Sequence, residues 1–126
     1  MKKTSGQALY DAVYKASLRL GYNTYDVAPP DASYPFVYIG EQFNQDGQTK
    51  SGVYGTVQQT IHVYGLYKDR RLIADMGERL KRACAQISNS DGYYFMYRNA
   101  SGQMVKDDTT SDILWHNILE LEFRYN

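Results

Sequence analysis

The sequence has one cysteine, two histidines and no surplus of charge of either sign, and these shortages narrow the functions open to it. Cys84 alone cannot form a disulfide within the chain, so the fold rests on burial, which a chain of 126 residues can supply as one domain. Its place on an apolar helical stripe reads as a small buried thiol. His62 and His116 each fall mid-strand, with no cysteine or second histidine at ligand spacing, which removes the usual metal sets. Lys plus Arg and Asp plus Glu both number 14, whereas a domain that grips nucleic-acid phosphates carries a basic excess on at least one face. No apolar run approaches the roughly 20 residues of a membrane span. The opening MKKTSGQ leads into an amphipathic segment and not into a signal-peptide core, so a chain made and left in the cytosol is expected. Neither a G-x-S-x-G elbow nor a glycine-rich phosphate loop is present, and no cofactor is called for.

Tyrosine, by contrast, occurs thirteen times. Its ring packs like a hydrocarbon and its hydroxyl tolerates water, which suits surfaces that are alternately wet and covered as well as ordinary strands.

The chain is organised around Thr56 to Ile87. Val57, Ile61 and Val63 alternate with Gln58, Thr60, His62 and Tyr64, the period of a strand with one buried face. After a short link at Gly65 to Lys68 the period changes. Leu72, Ile73, Met76, Leu80, Ala83, Cys84 and Ile87 then share one side of a helix, with Arg71, Asp75, Glu78 and Arg82 opposite and Asp69 placed to cap its first turn. Four-apart spacing predicts ion pairs Arg71 to Asp75, Asp75 to Arg79 and Glu78 to Arg82, each worth only about 0.2–0.5 kcal/mol. That face reads either as solvated or as a meeting surface for a neighbouring subunit.

Before this unit, Thr4 to Gln7 forms a capping box for a helix that buries Leu9, Val13, Ala16 and Leu20, leaves Leu18 outside, and stops at Gly21. Tyr25 to Val27 reads as a short strand ended by Pro29-Pro30, and Tyr34-Pro35 leads into a strand over Phe36 to Gly40. Residues 44 to 55, with three glycines and no period, read as a long mobile connection that orders on contact, or as an idle hairpin tip. Beyond the central helix, Asn89 to Gly92 reads as a turn and Tyr93 to Arg98 as a strand. Asn99 to Gly102 reads as a tight turn returning through Gln103 to Lys106. Alternation of Leu119, Leu121, Phe123 and Tyr125, extended backwards through Trp115 and Ile113, makes the closing segment a strand. Glu120 and Glu122 share its other face with Arg124, a row that reads as a charge ladder before it reads as an acid-base pair.

The expected fold is therefore α+β: an antiparallel or mixed sheet of about five to six strands with two helices packed on one face, in a single domain over 1–126.

The proline-aromatic step at Tyr34 to Val37, in YPFVYIGEQ, and the passage from IHVYG into an amphipathic helix over Ile61 to Leu80 give the chain a resemblance. It is similar to the tail-completion proteins of long-tailed bacteriophages, the small tail-terminator or head-tail joining subunits of phages and prophages. The likeness covers almost the whole chain. It implies a structural protein of the virion tail or neck, assembled in the host bacterial cytoplasm, without enzymatic activity or cofactor. It also implies self-association into a ring, usually hexameric, that caps the head-proximal end of the tail tube. The implied partners are the tail tube protein and the head-completion or connector proteins, with no membrane and no specific nucleic acid. Candidate contacts are Lys50 and Tyr54 on the 44–55 segment and Arg71, Asp75, Glu78 and Arg82 on the helix. Two rivals stand beside this reading: a small-ligand-binding or enzymatic α+β domain with a pocket lined by Tyr93, Tyr94 and Tyr97, and a sheet that stacks nucleic-acid bases.

Overall fold

The structure, a computed structural model, describes residues 2–49 and 52–126. In chain order the elements are α1 (Ser5–Arg19), β1 (Thr24–Tyr25), β2 (Phe36–Thr49), β3 (Gly52–Leu66), α2 (Arg70–Cys84), β4 (Asn89–Ser90), β5 (Tyr93–Asp107) and β6 (Leu114–Tyr125). The strands form one strongly curled, mixed sheet in the order β1-β2-β3-β6-β5-β4, in which only β1 runs parallel to its neighbour.

Alternation sets which side the helices cover. Val57, Ile61 and Val63 of β3 are fully buried, as are Leu121 and Phe123 of β6, and these residues sit side by side in register with Val37 and Ile39 of β2. Both helices lie on this side. Leu9 and Val13 of α1 and Ile73, Met76 and Leu80 of α2 fill the core, each contributing about 1.5–3 kcal/mol by leaving water. Thr4 accepts the amide of Gln7 at 3.1 Å, as the capping signature requires. Gly21 takes φ 86°, which lets the chain leave α1 at no steric cost. Contact between β3 and α2 is close at Gly65, where a Cβ would meet Ile73 Cγ1 at 2.6 Å. Gln59 is a fully buried polar residue on the core side of the sheet. Its amide donates to the carbonyls of Gly40, Glu41 and Thr60 at 3.0–3.3 Å and its oxygen accepts from Gln42 at 2.9 Å. It thereby satisfies the carbonyls of a bulge in β2 between Ile39 and Gln42.

Four expectations are corrected. Most of the 44–55 segment is not a loose connection: β2 and β3 run on as a paired arm, with Asn44 opposite Val57 and Gly47 opposite Tyr54. The arm passes the end of β6 at the Gly55–Tyr125 pair, so its distal part has no helix above it and no reason to carry an apolar period. Likewise Asn99 to Gly102 does not turn. β5 is one strand along the whole of β6, and a bulge between Tyr97 and Asn99 absorbs the irregularity. Asp69 stands at the N-cap position of α2 but makes no side-chain cap bond. A 3-10 turn over Tyr67–Asp69 gives it φ −104° and ψ 29°, not the extended backbone from which a cap side chain reaches the first amides. Leu72 and Ile113, expected on buried faces, are exposed, Ile113 because the strand begins one residue later.

Candidate interaction surface

The sheet's other side has no helix on it. Facing away from the core are Phe36, Tyr38 and Phe43 of β2, Gln58, Thr60, His62 and Tyr64 of β3, His116, Ile118, Glu120, Glu122 and Arg124 of β6, and Tyr94 and Met96 of β5. This face divides into an aromatic half and a polar half.

In the aromatic half, rings cover one another. Tyr34, Phe36, Tyr64, His116, His62 and Tyr38 form a continuous row with successive centroids 4.1–5.8 Å apart and interplanar angles of 13–30°. Stacking of this kind buries Phe36 and His62 with no second layer above them. Register makes the row: Tyr64 pairs with His116, and His62 is its diagonal neighbour, so residues far apart in sequence meet.

A hydrogen-bonded chain runs through the row. Glu41 Oε1 lies 2.6 Å from His62 Nε2, and His62 Nδ1 lies 2.7 Å from His116 Nε2. With both rings neutral, His62 donates through Nε2 to the carboxylate and accepts at Nδ1 from the Nε2 proton of His116, a tautomer assignment that follows from the network. The bond to His62 holds the Glu41 carboxyl below its ordinary value. Burial, and secondarily His62, pushes His116 down to about 4. His116 therefore takes up a proton poorly. The arrangement looks like a proton relay, but among the described residues no serine, threonine or cysteine is hydrogen-bonded to His116. Two imidazole nitrogens on one zinc stand about 3.3 Å apart, given bonds of about 2.0–2.1 Å. The observed pair is too close for that, and among the described residues no group of three metal-ligating side chains occurs.

The polar half carries Glu120, Glu122 and Arg124 in a row, as the alternation requires. Gln58 approaches Glu122 at 3.5 Å, and the Arg124 guanidinium sits over the Tyr54 ring at 5.2 Å. Beside them Tyr54, Tyr94, Met96, Arg124 and Tyr125 line an open cavity of about 530 Å³. Three large apolar side chains at the two rims stay exposed: Phe43 at 63%, Met96 at 61% and Tyr94 at 69%.

Of the residues singled out by sequence, Lys50 lies outside the described residues. Tyr54 joins Arg124 on the open side. Arg71, Asp75, Glu78 and Arg82 lie on α2, across the sheet from Tyr54, so the two candidate patches are separate surfaces. Asp75 pairs with Arg79 at 2.9 Å as expected, but Glu78 takes Lys81 at 2.6 Å in place of Arg82. Among the described residues Arg71 and Arg82 have no acidic partner within ion-pair distance. Tyr93, Tyr94 and Tyr97 do not line one pocket, because Tyr93 and Tyr97 pack on the core and Tyr94 points the other way. Cys84 is fully buried, and burial pushes its thiol up to about 12. The histidine pair escaped sequence reasoning. Its one signal was that both histidines alternate with core residues and so face away from the helices.

No protein-family model matches the chain, and no curated protein matches it in sequence. Its fold is similar to that of a chain in the virion of a native gene transfer agent particle, with a TM-score of 0.64. The match spans 98% of this chain and 97% of that one at 17% identity, so the likeness is one of fold.

Proposed function

We propose that this chain is a structural subunit of a phage-like particle, and more narrowly a tail-completion protein. In this reading it forms a ring, hexameric when assembled, that caps the head-proximal end of the tail tube and joins it to the head connector. The observation that carries the reading is the end-to-end match in fold to a virion chain, with almost nothing of either chain left over. The site geometry agrees with it. The open side of the sheet holds stacked rings, a charge row and exposed apolar rims, and among the described residues no nucleophile is hydrogen-bonded to His116. Such a surface is equipped to touch and not to transform. Tyr54 on the arm, together with Lys50, is the tube or subunit contact in this reading, and Arg71, Asp75, Glu78 and Arg82 form an intersubunit surface. Arg71 and Arg82, which have no acidic partner among the described residues, are the members best able to pair across an interface.

The test is mass by light scattering with and without phage tail tubes, followed by electron microscopy of the tube ends. Rings of about six subunits, or caps on the tubes, support the proposal. A chain that stays monomeric in both conditions and never decorates a tube end overturns it.

A further inference from the structure

A groove of about 320 Å³ runs between α2 and β5 on the helix side of the sheet. Gly77 of α2 and Gly102 of β5 line it without side chains, the buried Asn117 and Leu119 of β6 form its floor, and Met104 flanks them. Glycines here let the backbone of another chain come close.

Small residues alone would be ordinary packing, but Asn117 adds a polar demand. It is only 7% exposed. Its Nδ2 donates to the Ile73 carbonyl at 3.4 Å, while among the described residues its Oδ1 accepts no hydrogen bond. Every fully enclosed side-chain nitrogen or oxygen among the described residues has a partner. The Asn117 oxygen is therefore not sealed in, and what it opens on is this groove. An acceptor so nearly buried calls for a donor from outside. The charged side chains lining the groove are Arg70, Glu78 and Lys81. Lys81 takes Glu78 at 2.6 Å, and Arg70 lies over the Trp115 ring at 4.9 Å with no acidic partner at ion-pair distance among the described residues, so a positive charge is left over. Lys106 and Asp107, next along β5, offset each other.

We infer that residues 26–33 of one copy lie in this groove on the next copy. This rests on the ring reading above and specifies a contact within it. The segment, DVAPPDAS, carries Asp26 and Asp31 and no cation, and among the described residues neither carboxylate has an ion-pair partner. It lies outside the helices and strands, and among the described residues its amides make no backbone hydrogen bond, so they supply the donors that Asn117 lacks. Pro29 and Pro30 restrict its backbone, which lowers the entropy lost on docking. Val27, 65% exposed, supplies an apolar group for the Met104 side of the groove.

Register sets the two parts at one level. Thr24 of β1 stands opposite Val37, Val37 opposite Val63, Val63 opposite Asn117, and Asn117 opposite Met104. The segment leaves β1 two residues after Thr24, at one edge of the sheet, and the groove lies at the same height beside β5 toward the other edge. Strands β2, β3 and β6 stand between, so a chain does not fill its own groove. Copies related by rotation about an axis near the strand direction bring segment and groove together without a slide along the strands, the head-to-tail contact that closes into a ring.

The experiment measures the concentration at which rings form, by light scattering, for the wild type and three variants, with circular dichroism to confirm that each is folded. Asp26→Lys/Asp31→Lys makes the segment basic, Arg70→Glu/Lys81→Glu makes the groove acidic, and Gly102→Val fills the groove, where a Cβ has 3.6 Å to its nearest neighbour. Each variant alone should need about a tenfold higher concentration to assemble. The two charge variants mixed in equal amounts should assemble within about threefold of the wild-type concentration, because in a ring of alternating copies every basic segment meets an acidic groove and every acidic segment a basic one. Hydrogen exchange over residues 26–34 should slow when the wild type assembles. Single variants that assemble like the wild type, charge variants that the mixture fails to rescue, or rings that form with this exchange unchanged overturn the contact and leave the ring reading intact. A wild-type chain that forms no ring, in solution or on tube ends, overturns both.

Discussion

The imidazoles of His62 and His116 share a hydrogen bond of 2.7 Å although 54 positions separate them in the chain. Neighbouring strands β3 and β6 place them diagonally on the helix-free side, and Tyr64 stacks on His116 with a centroid distance of 4.1 Å.

Acid should therefore weaken the fold before the carboxylates titrate. His116 is lowered to about 4 from 6.5, so between those values the unfolded chain binds the proton and the native one does not. Stability from this group is complete above about pH 6.5 and falls as the pH drops toward 4. Glu41, also lowered, contributes above its unfolded value and loses its share at still lower pH, as the pH falls through its folded value. Allowing for the ring's partial exposure, the loss between pH 7 and pH 5 is about 1–2 kcal/mol. Urea unfolding at the two pH values measures it. His116→Phe, which keeps a ring on Tyr64 and titrates nothing, should flatten the difference; an undiminished difference would show that other groups cause it.

Gly65→Ala should destabilise by about 1–3 kcal/mol, since the added methyl meets Ile73 with no room to spare. Ile73→Ala alone costs about 2–5 kcal/mol by leaving a cavity. The double variant should cost less than the sum of the two, and a double-mutant cycle by chemical denaturation reads the coupling. Strict additivity would mean that the strand and helix separate freely at this point.

Gln59→Leu should cost about 1–3 kcal/mol, because it strips partners from buried carbonyls at the β2 bulge. The change should appear as a lower urea midpoint with the slope unaltered. A neutral result would mean that water or a shifted backbone takes over the amide's role.

Cys84 should be inert in the native protein. It is fully buried and its thiol is held up to about 12, so little thiolate exists at neutral pH. An aromatic disulfide reagent should modify it only in denaturant or at the rate of unfolding. Rapid stoichiometric labelling of the folded chain would contradict this burial.

Elements whose faces must differ were legible in the sequence. α2 showed itself because Ile73, Met76, Leu80 and Cys84 recur on one side, and β3 and β6 showed themselves because alternate residues are buried. Where both sides of a strand meet solvent, that imprint is missing. The distal arm of β2 and β3 read as a loop, and β5, exposed along much of its length, read as a hairpin broken at Asn99 to Gly102. Backbone pairing holds those strands, and backbone pairing is indifferent to side-chain type.

By itself, then, the sequence determined the fold class, the core and the two helices, because burial sorts side chains by polarity and does so locally. The tertiary structure decided what stands beside what: His62 beside His116 and Glu41, and Tyr54 beneath Arg124. Register between distant strands sets those neighbours, and register is a relation between segments that neither segment carries alone.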